Sequence, residues 1–252
     1  MHRGKIIINM NIYDDNNSKI NTDNDFEKAY NLCIRDYSHL ELINMLINGS
    51  IAEKQIAALK LDYISDINDV NALLNNLTGC DGKIREAVAF KINSFLSDDK
   101  AKDLFALYSA EVFAKATIDI NANICRMVVD SAVLLKQYKD FSCKYTQNIL
   151  VLAMEALTEL DKFVFKDKKY VINKQLFKLY WCLEALNYFY EFVPSESLKM
   201  IILKCSNQSE YTIREKAASL VKNIELVPDI EKILKNDENY YVRQSLHHPS
   251  LF

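Results

Sequence analysis

The stretch ESLKMIILKCSNQSEYTIREKAASLVKNI, residues 196–224, decides the fold. It opens with a short helix rich in leucine and isoleucine. Ser206-Asn207-Gln208-Ser209 then makes a polar turn. Ile213 and Arg214 follow and open a second helix. There Ile213, Ala217, Leu220 and Ile224 form one apolar stripe, opposite Glu215, Lys216 and Lys222. Two amphipathic helices joined by a tight polar turn are one unit of something larger, because neither can bury its apolar face alone.

The unit recurs. VPDIEKILKNDENYYVRQSL begins at Val227 and has Val242-Arg243 at the junction. NDVNALLNNLTGCDGKIREAVAFKINSFL begins at Asn68 and has Ile84-Arg85. Weaker echoes start at Ile51 and Ile124, where Ala52 and Cys125 replace the arginine. Working outward, the periodicity predicts helices near 26–48, 51–65, 68–78, 82–97, 100–117, 121–138, 142–161, 173–192, 195–205, 209–224, 227–236 and 240–247. Asn, Asp, Ser and Gly occupy the breaks and can cap helix starts. The run 162–173 is a longer interruption, open between a loop, a hairpin and a helix extension. Residues 1–25 stand apart: Ile6, Ile8, Met10 and Ile12 alternate like a weak strand, and a polar tract expected to be mobile follows. Residues 26–252 read as one domain.

This pattern resembles the HEAT-repeat family. A leucine-rich first helix, a polar turn and Val-Arg or Ile-Arg opening an alanine-bearing second helix carry the resemblance. The pair of units at 195–247 matches best, 68–97 matches well, and 98–192 matches only as paired helices. The resemblance implies an all-α solenoid of about six stacked antiparallel helix pairs, with right-handed superhelical curvature. Arg85, Arg214 and Arg243 are read as structural ties between repeats, since a guanidinium fork can meet an aspartate or carbonyl in an adjacent turn.

Composition agrees with helices. The 252 residues include only 4 glycines and 3 prolines, where average usage gives about 18 and 13. Sheet-rich folds need glycine in their turns, and nucleotide-binding loops need glycine fingerprints. Gly4, Gly49, Gly79 and Gly82 match neither phosphate motif. Net charge is −3 with the signs interspersed, and there are six arginines, which argues against a nucleic-acid binder. Nothing reaches the ~18 consecutive apolar residues of a membrane span, and the first residues lack a signal-peptide cleavage site. A cytoplasmic protein is expected. The cysteines Cys33, Cys80, Cys125, Cys143, Cys182 and Cys205 lack metal-ligand spacing and read as reduced thiols. No metal or cofactor is expected. Of the histidines, His39 lies on a mixed-charge helix face, and His247 and His248 diverge just before Pro249. No catalytic constellation assembles from local sequence.

The most unusual stretch is LFKLYWCLEALNYFYEF, 176–192. Its aromatics cover several helix faces, as in a buried central helix. The alternative is a partner-binding floor of Trp181, Tyr180 and Tyr188 with Glu184 and Glu191, seven residues apart on one face. Trp181 is then the first-choice anchor. The expected function is a non-catalytic scaffold that binds a protein or peptide on the concave face. Two alternatives follow from the resemblance: a DNA alkylation-repair glycosylase, whose groove is basic and carries Trp, Asp and Arg, and a HEAT-like bilin lyase subunit that loads chromophores. The apolar Leu246, Leu251 and Phe252 suggest that the C-terminal end docks on another chain or folds back.

Overall fold

The computed structural model describes residue 27 and residues 30–162, 169–221 and 228–246. The tail expected over 1–25, His247, His248, Leu251, Phe252 and residues 163–168 of the 162–173 interruption lie outside these residues.

Residues 30–34 are helical. Thirteen α-helices follow, and no strand occurs among the described residues. They are α1 His39–Asn48, α2 Ile51–Lys60, α3 Ile67–Leu77, α4 Gly82–Phe95, α5 Asp99–Tyr108, α6 Ala110–Thr117 and α7 Ala122–Leu134. Then come α8 Lys139–Lys162, α9 Lys169–Phe189, α10 Ser195–Ser206, α11 Tyr211–Val221, α12 Pro228–Lys235 and α13 Tyr240–Ser245. A 3-10 turn, Tyr190–Phe192, follows α9.

Side-chain caps explain the boundaries. Ser38 and Ser50 each form a reciprocal capping box, with Glu41 and Glu53. Asp66, Asp81, Asp98, Asn121 and Asn239 cap α3, α4, α5, α7 and α13. The Ser38 cap splits the helix expected over 26–48. The helix expected over 100–117 is divided at Ser109, where the ladder still runs: Ser109 N–H donates to Phe105 O and Phe113 N–H to Ser109 O. No described residue has positive φ, so these turns need little glycine. Gly49 is an exception of a different kind. A Cβ there would lie 2.5 Å from Met45 O, so close approach of the α1 end requires glycine.

The helices pair as α1/α2, α3/α4, α5–α6/α7, α8/α9, α10/α11 and α12/α13. The six pairs stack in order into two layers, an all-α solenoid. First helices touch first helices, and second helices touch second helices. The second helices pack the more extensively with their successors at every step except α7 to α9.

One continuous apolar core runs between the layers. At the C-terminal end it is made of small and aliphatic residues such as Ile213, Ala217, Ala218 and Leu220. In the middle it is aromatic. Phe105, Phe113, Phe141, Tyr145, Phe189 and Phe192 form a chain of ring contacts with centroids 5.1–6.5 Å apart. Tyr145 stacks on Phe141 and shares a buried hydrogen bond with Thr117 at 2.8 Å.

Candidate functional site

Two sets of residues carry the candidate chemistry: the junction arginines, and the exposed strip of the second helices.

Arg85, the second residue of the Ile-Arg junction in α4, is buried. Its Nη1 donates to Gly79 O and Cys80 O, both at 2.9 Å. Its Nε and Nη2 grip the Asp119 carboxylate of the next unit at 2.6 and 3.2 Å. Arg214 repeats this atom for atom. Nη1 donates to Gln208 O and Ser209 O, and Nε and Nη2 grip Asp237 at 2.6 and 3.1 Å. Each fork thus closes its own turn and fastens the following one. The aspartates sit five residues before Ile124 and Val242, so Arg in one unit is coupled to Asp in the next. Hydrogen bonding to Arg214 holds the Asp237 carboxyl below its usual range, and that to Asp119 raises the Arg85 guanidinium.

Arg243 is different. Its Nη1 reaches Asp237 O and Glu238 O, which is only the half of the device within its own unit. No described carboxylate meets the rest of its fork, so among the described residues Arg243 closes only its own turn. The junction register also needs correction at α2. N-caps stand three residues before the junction in α4, α7 and α13. Ser50 therefore sets the α2 junction at Glu53-Lys54, not at Ile51-Ala52, and Ile51 is exposed. In α7, Cys125 fills the arginine position and its thiol donates to Asp119 O at 3.1 Å. Burial pushes that thiol up to about 12.

The aromatic helix α9 sits in the second-helix layer, between α7 and α11. Trp181 is only 8% exposed and packs edge-on against Phe177 and Tyr180. The first-choice anchor is thus a core residue. Tyr180, Glu184 and Tyr188 are half-buried and lie along the exposed side of α9. Lys216 of α11 pairs with Glu184 and stands 4.8 Å from the Tyr180 ring centroid. Burial works against the charge on Lys216, but Glu184 and Tyr180 outweigh it and raise its pKa. From the other side α7 contributes Arg126 and Asp130. Partial burial and the nearby Glu184 raise the Asp130 carboxyl, with Arg126 opposing. Burial, Glu184 and Asp130 also raise Tyr188. Three consecutive second helices thus form one strip of rings and charges. Glu191 is not part of it: α9 ends at Phe189, and Glu191 pairs instead with Lys136 at 3.2 Å.

Sequence reading missed one cluster. His39 Nε2 lies 2.9 Å from Asp69 Oδ2, and Ser65 Oγ donates to the same oxygen at 2.6 Å. Tyr63 stacks on the imidazole at 4.3 Å. The residue types are those of a hydrolytic triad, but the geometry is not. Ser65 Oγ and His39 Nε2 both meet the same carboxylate oxygen, and Ser65 Oγ lies 3.3 Å from that same ring nitrogen, so the imidazole does not stand between Ser65 and Asp69 as a relay. The cluster ties α1 to the first turn of α3 and to the loop before it. His39 and Asp69 are 30 residues apart, and nothing local to either signals the contact.

This cluster supports a pH prediction. Burial works to raise the Asp69 carboxyl, but the Ser65 hydroxyl and amide and the His39 imidazole outweigh it and hold it low. A carboxyl with a depressed folded-state pKa stabilises the fold above its unfolded value, about 3.9. That contribution is lost as pH falls through the folded value. The urea midpoint is expected to drop below pH 4, and to drop less steeply in Asp69→Asn. Equal slopes for both proteins would contradict this assignment.

Among the described residues, no group of three or more His, Cys, Asp or Glu could hold a metal ion. No described helix is long and apolar enough to cross a membrane. The chain is similar in fold to an archaeal HEAT-like repeats protein. That crystal structure, from Thermococcus onnurineus NA1, has 12% identity and a TM-score of 0.43, over 84% of this chain and 78% of the other. An engineered protein, Northeast Structural Genomics Consortium target OR329, has 14% identity and a TM-score of 0.42, over 83% and 94%. No protein-family model and no curated protein matches the chain.

Proposed function

We propose that the protein is a non-catalytic interaction module whose partner, a protein or peptide, binds along the second helices. The observation that carries this reading is the strip on α7, α9 and α11. There Tyr180 and Tyr188 stand beside Asp130 and the Glu184–Lys216 pair. Half-buried tyrosines offer large contact area at low entropy cost, and the charges select a register. Asp130 and Glu184 favour a basic side chain opposite them. The same two carboxylates speak against the DNA-repair alternative, which needs a basic groove to meet phosphates. The six free thiols suit a reducing compartment such as the cytoplasm.

The test is capture from a lysate by the full chain, with each captured protein identified and its affinity measured. Tyr188→Ala combined with Asp130→Lys is expected to weaken a specific partner by roughly 30-fold or more, as loss of one hot spot does. Val151→Ser, on the first-helix layer, is expected to leave binding unchanged. Equal effects from both variants would remove the strip from consideration. Turnover of a small molecule without any captured partner would overturn the whole reading.

A further inference from the structure

The last two described units share a feature that neither the ties nor the strip accounts for. Tyr211 opens α11, and Tyr240 and Tyr241 open α13. All three are exposed, at 39%, 59% and 58%. Their rings nonetheless meet. Tyr241 lies 6.5 Å from Tyr211 and 5.7 Å from Tyr240, centroid to centroid. The three form a ladder along one edge of the stack, at the turns between first and second helices. Packing does not demand it. Tyr211 and Tyr240 each stand two residues before the junctions at Ile213 and Val242, and α4 and α7 carry Gly82 and Ala122 at that position. Exposed rings clustered where other units hold none mark a contact surface.

Charge narrows the occupant. In the turns 206–213 and 236–242 the charged residues are Glu210, Asp237 and Glu238, with no lysine or arginine. Asp237 is taken up by the Arg214 fork. The Glu238 side chain is 92% exposed and stands 3.8 Å from Arg214 Nη2. Glu210 accepts from Thr212 Oγ1 at 3.4 Å. Arg214 and Arg243 reach into these turns from the helices, so three carboxylates face two guanidiniums. The edge is acidic and favours a cationic side chain over an anion.

Period narrows it further. Neighbouring helices such as α11 and α13 lie about 8–10 Å apart, and equivalent tyrosines repeat on that scale. A polyproline II segment has three residues per turn and a period of about 9 Å. Prolines three positions apart therefore meet successive units, with Tyr241 between them. Such a segment makes no internal hydrogen bonds, so its carbonyls are open to tyrosine hydroxyls, and its preformed shape costs little entropy to bind.

We propose that this edge binds a proline-rich segment of a partner protein that also carries an arginine or lysine. The prolines lie across Tyr211, Tyr241 and Tyr240, and the cation meets Glu210 or Glu238. The ladder is apart from the strip on α7, α9 and α11, and the proposal stands whether or not that strip binds anything.

The test titrates the full chain into a fluorescein-labelled hexaproline peptide flanked by arginines and follows anisotropy. Saturable binding is expected, with a Kd of about 1 mM or lower. A glutamate-flanked hexaproline is expected to bind about threefold less tightly or worse, the scale of an exposed ion pair. An arginine-flanked glycine-serine peptide is expected not to saturate. Tyr241→Ala is expected to weaken the arginine-flanked hexaproline about tenfold, and Glu238→Lys to erase the preference for arginine flanks. Tyr108→Ala, which removes an exposed ring from α5, is expected to change nothing. The assignment is overturned if the hexaproline does not saturate, if the glycine-serine peptide binds as well, if the flanking charge makes no difference, or if Tyr241→Ala and Tyr108→Ala act alike.

Discussion

Replacing Asp119 with alanine is expected to destabilise the protein by about 3 kcal/mol, the usual scale for leaving one partner of a buried pair uncompensated. The Asp119 carboxylate accepts three hydrogen bonds: two from the Arg85 fork and one from the Asn121 amide. Both side chains are about nine-tenths buried, so water replaces little of what is lost. The orphaned guanidinium keeps only the carbonyls of Gly79 and Cys80. At this chain length, 3 kcal/mol corresponds to a fall in Tm of roughly 6–12 °C. Asp99→Ala is the control. Its pair with Lys102 is a surface i,i+3 contact with Asp99 almost fully exposed, and its loss is expected to stay within about 0.5 kcal/mol. If the two variants melt alike, the Arg85–Asp119 tie contributes nothing special.

Tyr145→Ala is the second large effect, at about 4 kcal/mol. Tyr145 is fully buried, stacked on Phe141 and edge-on to Phe189. Removing the ring leaves a void where α6, α8 and α9 meet, and those neighbours are rigid rings that collapse poorly. Tyr145→Phe separates the hydroxyl from the ring. Thr117 keeps its bond to Phe113 O, so this change is expected to cost only about 1 kcal/mol. Urea unfolding followed by circular dichroism distinguishes the two. A loss for Tyr145→Phe as large as that for Tyr145→Ala would place the stabilisation in the hydrogen bond rather than the packing.

Legibility followed the kind of interaction involved. Helical repeats with Ile-Arg junctions could be read at α4 and α11, because a repeat is a local pattern and its caps lie within a few residues. Register failed at α2, where Ile51 mimics a junction residue. It was also obscure through the third and fourth units. There a ring-to-ring core replaces the alanine and leucine pattern, and Ser109 divides the first helix without any Gly or Pro to mark it. At the candidate strip, Tyr180, Glu184 and Tyr188 were visible as unusual residues on one helix. Trp181 was ranked above them, whereas it is buried, since burial depends on what α9 packs against. Lys216 and Asp130 were missed because they join the strip from helices tens of residues away.

The scarcity of glycine, the helical period and the recurring junction by themselves determined an all-helical stack of pairs, because each follows from the geometry of near neighbours in the chain. Only the tertiary structure decided which arginines find carboxylates. Arg85, Arg214 and Arg243 occupy the same place in their units, yet the first two close on the next unit's aspartate and Arg243 meets no described one. The physical reason is that an ion pair between units depends on a residue supplied by the following unit, 34 positions on for Arg85 and 23 for Arg214. The same is true of the His39–Asp69–Ser65 cluster and of the strip of rings and charges on the second helices.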